Sequence, residues 1–347
     1  MTALLEAHNL TKVFGGGLLS RRRTVALDNI SLVISGDRPS VISIAGESGS
    51  GKTTLARLLL GITHPSSGRV LYRGKELKKL SREEWKVFRR EVQAIFQDPF
   101  EAFNPFYKVD NVLNTPIVKF RLARSRSERR EMVDKVLDMV GLRPEETLGR
   151  YPHQLSGGQR QRVMVARALL PNPKILLADE PVSMVDASLR ATILGTLLKL
   201  SRELNISLVY VTHDLTTAYQ VAETILVLYQ GSPVEVGDVE KVIRSSQHPY
   251  TRLLVGSIPL PNPKLKWGTE AIETERTGRG SGAGNGCRFA GRCPVVMPVC
   301  HEQRPPLYRT DSRRATACFL YKESPAVEGV ELMSALSRGT QTSARDG

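Results

Sequence analysis

The stretch Gly46-Glu47-Ser48-Gly49-Ser50-Gly51-Lys52-Thr53 constrains this chain more than any other. Glycines at 46, 49 and 51 allow the backbone to curl until its N–H groups converge. A lysine and a hydroxyl follow at once, completing the pattern of a phosphate loop. The apolar run Val41-Ile42-Ser43-Ile44-Ala45 precedes it, and residues 52–61 read as a helix. Strand, glycine turn and helix N-terminus together make an anion site. Lys52 is expected to reach the β- and γ-phosphates of a nucleoside triphosphate, and the Thr53 hydroxyl to bind Mg²⁺. Residues Gly46, Glu47, Ser48, Gly49, Ser50, Gly51, Lys52, Thr53 and Thr54 form the expected nucleotide cradle.

A length of 347 residues suggests about two domains, and 41% hydrophobic content is ordinary for a globular core. No apolar run reaches the roughly 18 residues of a membrane span. Residues 1–14 lack a basic segment followed by an apolar one, so no signal peptide is expected and the chain should stay in the cytoplasm. The formal charge of +14 would suit nucleic acid. Its Lys and Arg, however, are dispersed among acids with no aromatic-interleaved patch, so no nucleic-acid partner is expected. A solvated basic surface, drawn to an anionic membrane leaflet, is the reading taken.

Residues 4–10 and 25–34 have strand character. The Gly15-Gly16-Gly17 and Arg21-Arg22-Arg23 clusters between them read as an exposed hairpin loop. Residues 107–150 read as mainly helical, and 155–170 as glycines continuing into a helix. Apolar strands at 174–179, 206–211 and 224–229 alternate with helical patterning at 186–204 and 214–222. That alternation predicts a parallel sheet covered on both faces. After residue 260 the composition turns to Pro, Gly and charge, so 259–286 reads as a linker.

Asp179 ends a buried apolar strand, where a bare carboxylate is costly; orienting Mg²⁺ through water resolves the cost. Glu180, one residue on, is placed to polarise an attacking water as general base. About a hundred residues beyond the phosphate loop stands Leu155-Ser156-Gly157-Gly158-Gln159. These three motifs, in this order, resemble the ATPase subunits of ABC transporters, and residues 4–245 resemble a complete domain of that family. The resemblance implies a phosphate-loop NTPase core with an antiparallel β subdomain and a helical subdomain at about 100–170. It makes Gln97, in Phe96-Gln97-Asp98-Pro99, the contact to Mg²⁺ and water, and His213, in Val211-Thr212-His213-Asp214, the switch histidine at the γ-phosphate. Asp186 belongs to the loop that crosses a dimer interface. Ser156, Gly157, Gly158 and Gln159 would face the γ-phosphate held by a second ATPase subunit. Phe14 is the expected aromatic under adenine.

Within the family, Gln97-Asp98-Pro99 running on to Asn104-Pro105, Tyr151-Pro152-His153-Gln154, and His248-Pro249-Tyr250-Thr251 resemble the oligopeptide and dipeptide importer group. That implies ATP and Mg²⁺ as cofactors, two membrane permeases and a solute-binding protein as partners, and a place at the cytoplasmic face of the membrane. Residues 103–106 are expected to meet a permease. The expected task is to energise import of di- or oligopeptides, with oligosaccharides or nickel as the alternative cargo. A soluble ATPase acting on nucleic acid or ribosomes is the alternative from another class; one phosphate loop, one signature and no heptad stretch weigh against it. The expected division is 1–245 for the ATPase domain, 246–324 for a small Cys-rich C-terminal extension, and 325–347 for a flexible tail. Cys287, Cys293, Cys300 and Cys318 lie in that extension, and four thiols in a short cytoplasmic segment suggest metal. Their spacing is not that of a zinc ribbon; the resemblance implies a [4Fe–4S] cluster, with Zn²⁺ as the alternative.

Overall fold

The computed structural model describes residues 3–15, 23–98, 103–183, 185–258 and 285–327. Most of the expected hairpin loop, of the 259–286 linker and of the 325–347 tail lies outside those residues.

The chain begins with a long antiparallel hairpin of β1 (Ala3–Gly15) and β2 (Arg23–Ser35). Next, β3 (Val41–Ala45), buried at every residue, enters the phosphate loop and α1 (Lys52–Leu59). β4 (Ser67–Tyr72) and β5 (Lys75–Glu76) return to the hairpin and complete a four-stranded sheet in the order β2-β1-β4-β5. α2 (Arg82–Glu91) starts on a capping box between Ser81 and Glu84, and β6 (Val92–Ile95) follows directly. The helical part comprises α3 (Val109–Phe120), α4 (Arg126–Met139), α5 (Pro144–Thr147) and α6 (Gly157–Leu169). Strands and helices then alternate: β7 (Ile175–Asp179), α7 (Ala187–Glu203), β8 (Ser207–Thr212), α8 (Leu215–Val221) and β9 (Thr224–Tyr229). β10 (Ser232–Asp238), α9 (Val239–Arg244), α10 (Pro249–Gly256), α11 (Pro298–Glu302), β11 (Tyr308–Asp311) and β12 (Arg314–Thr316) complete the described chain.

The second sheet has eight strands in the order β11-β12-β10-β9-β3-β8-β7-β6. Those from β9 to β6 are parallel, as the alternation predicts. Side-chain alternation divides them between two cores. Leu208, Tyr210, Ile225 and Val227 pack on the helical side, whereas Val209, Val211, Leu226 and Leu228 pack towards the first sheet and α1. Both faces are covered, so the strands are mainly apolar.

One expectation needs correction. The cysteine-bearing segment is not a discrete extension: β12 pairs antiparallel with β10, Glu235 opposite Thr316 and Gly237 opposite Arg314. Phe289 and Ala315 are members of the two main cores. The change of composition after residue 260 marks an excursion from the sheet, and the chain comes back to it. Among the described residues no helix is long and apolar enough to cross a membrane. The expected membrane association therefore does not run through a spanning helix of these residues.

Candidate active site

Parallel strands place their carboxyl ends on one edge, and loops leaving that edge can share a site. Register does this here: Ala45 lies opposite Thr212, Asp179 opposite Val211, and Ile95 opposite Ala178. The phosphate loop, Glu180 and His213 follow directly on β3, β7 and β8, and Gln97 stands two residues beyond β6.

The loop has positive φ at Gly46 (150°), Gly49 (81°) and Gly51 (101°). At Gly51 a Cβ would stand 2.5 Å from the Ala26 carbonyl oxygen, so the glycine is needed for space as well as for φ. Lys52 is buried, and its Nζ donates to the Gly46 carbonyl at 2.8 Å and the Glu47 carbonyl at 3.0 Å. Burial lowers the Lys52 pKa, while the negative charges of Glu180, Asp179 and Glu47 pull it back up. A cleft of about 730 Å³ opens beside the loop, lined by Gly49, Gly51, Lys52, Thr53 and Thr54, with Thr24, Val25, Gln230 and Arg288 opposite.

The Thr53 hydroxyl donates to Asp179 Oδ1 at 3.5 Å. Burial raises the Asp179 pKa, which the Thr53 contact partly offsets. Both residues line a cavity of about 100 Å³ with Gln97 and Phe96. Hydroxyl, carboxylate and amide oxygens in one small space are the donor set of a hard cation such as Mg²⁺, so the residues fit that ion. Glu180 is held on both oxygens: Gln97 Nε2 donates to Oε2 at 3.1 Å, and His213 Nδ1 lies 2.9 Å from Oε1. Its backbone is left-handed, φ 46°, at a cost of about 1 kcal/mol. The Glu180 N–H donates to the Val211 carbonyl at 2.9 Å, fixing that turn.

The signature segment stands apart. Ser156 caps α6: its hydroxyl accepts from the Gln159 N–H at 3.2 Å, and Gln159 Oε1 accepts from the Ser156 N–H at 2.9 Å. Ser156 is exposed, and none of Ser156 to Gln159 lines the phosphate cleft. Asp186 is exposed at the start of α7. Phe14 lies opposite Thr24 in the β1–β2 register, half exposed beneath Lys12 Nζ at 5.0 Å; Thr24 lines the cleft and Phe14 does not. Gln230 and Arg288 escaped the sequence reading, because nothing in the local pattern around them marks a nucleotide wall.

The cysteine expectation is overturned. All four thiols are free. Cys300 packs with Tyr308 and Phe319 in a small apolar cluster that Cys287 flanks. Burial raises the pKa of Cys287 and Cys293, and that of Cys318 to about 11. Among the described residues no three His, Cys, Asp or Glu side chains come together to hold a metal. Both the [4Fe–4S] cluster and the Zn²⁺ alternative are withdrawn.

A phosphate loop with a carboxylate held above it defines the class: an NTP-hydrolysing phosphate-loop enzyme. The ABC transporter family matches residues 27–183, and the oligopeptide/dipeptide transporter C-terminal region matches 234–300. A putative oligopeptide transport ATP-binding protein of Bacillus subtilis is 37% identical over 94% of this chain and 98% of its own length. The di/tripeptide transport ATP-binding protein of Pseudomonas aeruginosa is 37% identical over 92% of this chain and 98% of its own. A solved dimeric ATP-binding cassette, MJ0796 with ADP and phosphate, is 33% identical, covers 68% of this chain and 98% of itself, and superposes with a TM-score of 0.60. The chain belongs to the ATP-binding proteins of ABC transporters, and among these to the oligopeptide and dipeptide transport group. It is an ATP-hydrolysing enzyme of that family.

Proposed function

We propose that this chain powers the import of di- or oligopeptides across the cytoplasmic membrane, lying peripherally on its inner face. The observation that carries the ATPase chemistry is Glu180, clamped between Gln97 and His213 one residue beyond Asp179. Its carboxylate takes the proton of the attacking water, and His213 and Gln97 hold it in position. The loop amides and Lys52 receive the phosphates; Phe14 receives adenine. Bound through Thr53, Gln97 and Asp179, Mg²⁺ would neutralise phosphate charge.

Hydrolysis needs two copies. Ser156, Gly157, Gly158 and Gln159 present a helix N-terminus outward, suited to the γ-phosphate on a second ATPase subunit, with Asp186 at the junction. That subunit is a copy of this chain or a related one. The exposed Ser156 at the start of that helix and the dimeric form of the similar cassette support this reading.

A groove of about 520 Å³ supports permease docking. Phe88, Phe96, Phe103, Tyr107, Pro116 and Phe120 line it. Of the expected contact segment, Phe103 is core, while Phe106 is 86% exposed. Phe96 lines this groove and also the small cavity beside Gln97 and Asp179, which gives a permease a short route to the catalytic carboxylates. Two permeases and an extracytoplasmic solute-binding protein complete the importer. The residue division proposed is 1–245 for ATP hydrolysis, 246–324 for a C-terminal unit and 325–347 for a tail.

Gentle solubilisation of membranes carrying the tagged chain, with identification of co-purifying proteins, tests the assembly. The expected result is two multi-span proteins and a binding protein that retains peptide. Recovery with ribosomes or DNA alone would overturn the transport reading.

A further inference from the structure

The His248-Pro249-Tyr250-Thr251 motif has no task in the chemistry above. Its place in the fold suggests one. Tyr250 is fully buried in α10, and its hydroxyl accepts a hydrogen bond from the Glu47 N–H at 2.9 Å. Glu47 is the second residue of the phosphate loop, 203 residues earlier. The start of α10 is itself fixed. Buried Glu235 on β10 accepts from the N–H groups of Gln247 and His248 at 3.0 Å each, and His248 Nδ1 accepts from the Tyr250 N–H at 3.0 Å. The Tyr250 ring is wedged between Tyr229, at 4.5 Å between centroids, and Phe289, at 5.6 Å.

The Glu47 side chain is held from the same direction. Arg292 makes two parallel contacts to its carboxylate, 3.1 and 3.2 Å, and lies over the Tyr229 and Phe289 rings at 5.8 and 5.7 Å. A fork-to-fork pair fixes orientation as well as distance. Arg288, from the same turn of chain, lines the phosphate cleft. The C-terminal segment thus reaches the loop through a backbone amide, a carboxylate and the cleft wall.

We propose that Tyr250 and Arg292 are positioning residues for ATP, by which the C-terminal segment holds the phosphate loop in its nucleotide-receiving shape. The inference rests on the ATP-site reading above. Neither side chain touches the reacting atoms; both act through Glu47. A loop already held in shape gives up less freedom when phosphate arrives, so the effect falls on nucleotide affinity and leaves the chemical step alone. Tyr250 carries the larger share because its hydroxyl is buried and its partner is a backbone donor, whereas the Arg292–Glu47 pair is half exposed and screened.

The test uses the full chain. Binding of trinitrophenyl-ATP with Mg²⁺ gives Kd, and turnover in the assembled importer gives KM and kcat. Tyr250→Phe should raise Kd and KM about tenfold with kcat unchanged. Arg292→Ala, at a surface position that does not endanger folding, should raise them about threefold, Arg292→Lys should recover most of that, and high salt should erase the difference. Variants that bind like the wild type, or that lose kcat at unchanged Kd, overturn the proposal. A wild-type chain that binds no nucleotide would instead sink the ATP-site reading itself.

Discussion

The phosphate loop and the signature segment both offer N–H groups to phosphate, yet they are supported in opposite ways. The loop is braced from far along the chain: Tyr250 on its amide, Arg292 on its carboxylate, and Ala26 against Gly51. The signature is braced by itself, through a capping box that spans Ser156 to Gln159. A site that must be complete before its ligand arrives needs remote supports. A segment capped within itself keeps its outer face free, as the proposed contact with a second subunit requires.

The largest expected effect lies where the loop meets its base. Glu180→Gln should lower turnover about 10²–10⁴-fold and leave ATP binding at wild-type strength, read by initial rates and by nucleotide titration. Unchanged turnover would remove Glu180 from its role. A pair of glycine substitutions then separates the two regions. Gly51→Ala forces a Cβ to 2.5 Å from the Ala26 carbonyl at φ 101°, which should cost more than about 2 kcal/mol of stability and abolish nucleotide binding. Gly158→Ala meets only the end of the Leu189 side chain at 2.9 Å, so melting should shift little and nucleotide affinity should persist, while turnover falls. Equal melting shifts for the two would break the contrast between remote and local support.

The smallest effect concerns the brace itself. Burial lowers the His248 pKa to about 3, so the folded chain keeps it neutral while the unfolded chain protonates it near 6.5. A folded pKa below the unfolded one gives stability that is present above pH 6.5 and lost as pH falls. Between pH 7 and pH 5 the loss should be about 2 kcal/mol, seen by chemical denaturation. His248→Asn, which keeps an N-cap acceptor, should flatten that slope.

Much of this was legible in the sequence because its signals are local. β3, α1 and β7 to β9 lie within a residue or two of their expected bounds, since apolar runs ending in glycine or acid declare both the strand and its edge. Lys52 opens α1, and Glu180 and His213 follow directly on β7 and β8, where those local signals put them. Three things were not legible. The strand β12 has only three residues and exists because β10 offers it a partner. The Tyr250 hydroxyl meets Glu47 across 203 residues, which no spacing rule reports. And cysteine spacing gave proximity along the chain, but whether four side chains converge is decided by packing: Cys300 turned into an apolar cluster with Tyr308 and Phe319.

The hairpin of β11 and β12 has one more consequence. Without that hairpin the sheet would end at β10 with six strands and present a ladder of bare N–H and C=O groups, a template onto which any other extended chain could add. Here that ladder passes to β12, then to β11, and then to a short run in which Arg309 donates to the Pro325 carbonyl and Val327 to the Leu307 carbonyl, both at 2.8 Å. At this end the sheet tapers off without a raw edge, so an extended chain finds little backbone to add to there.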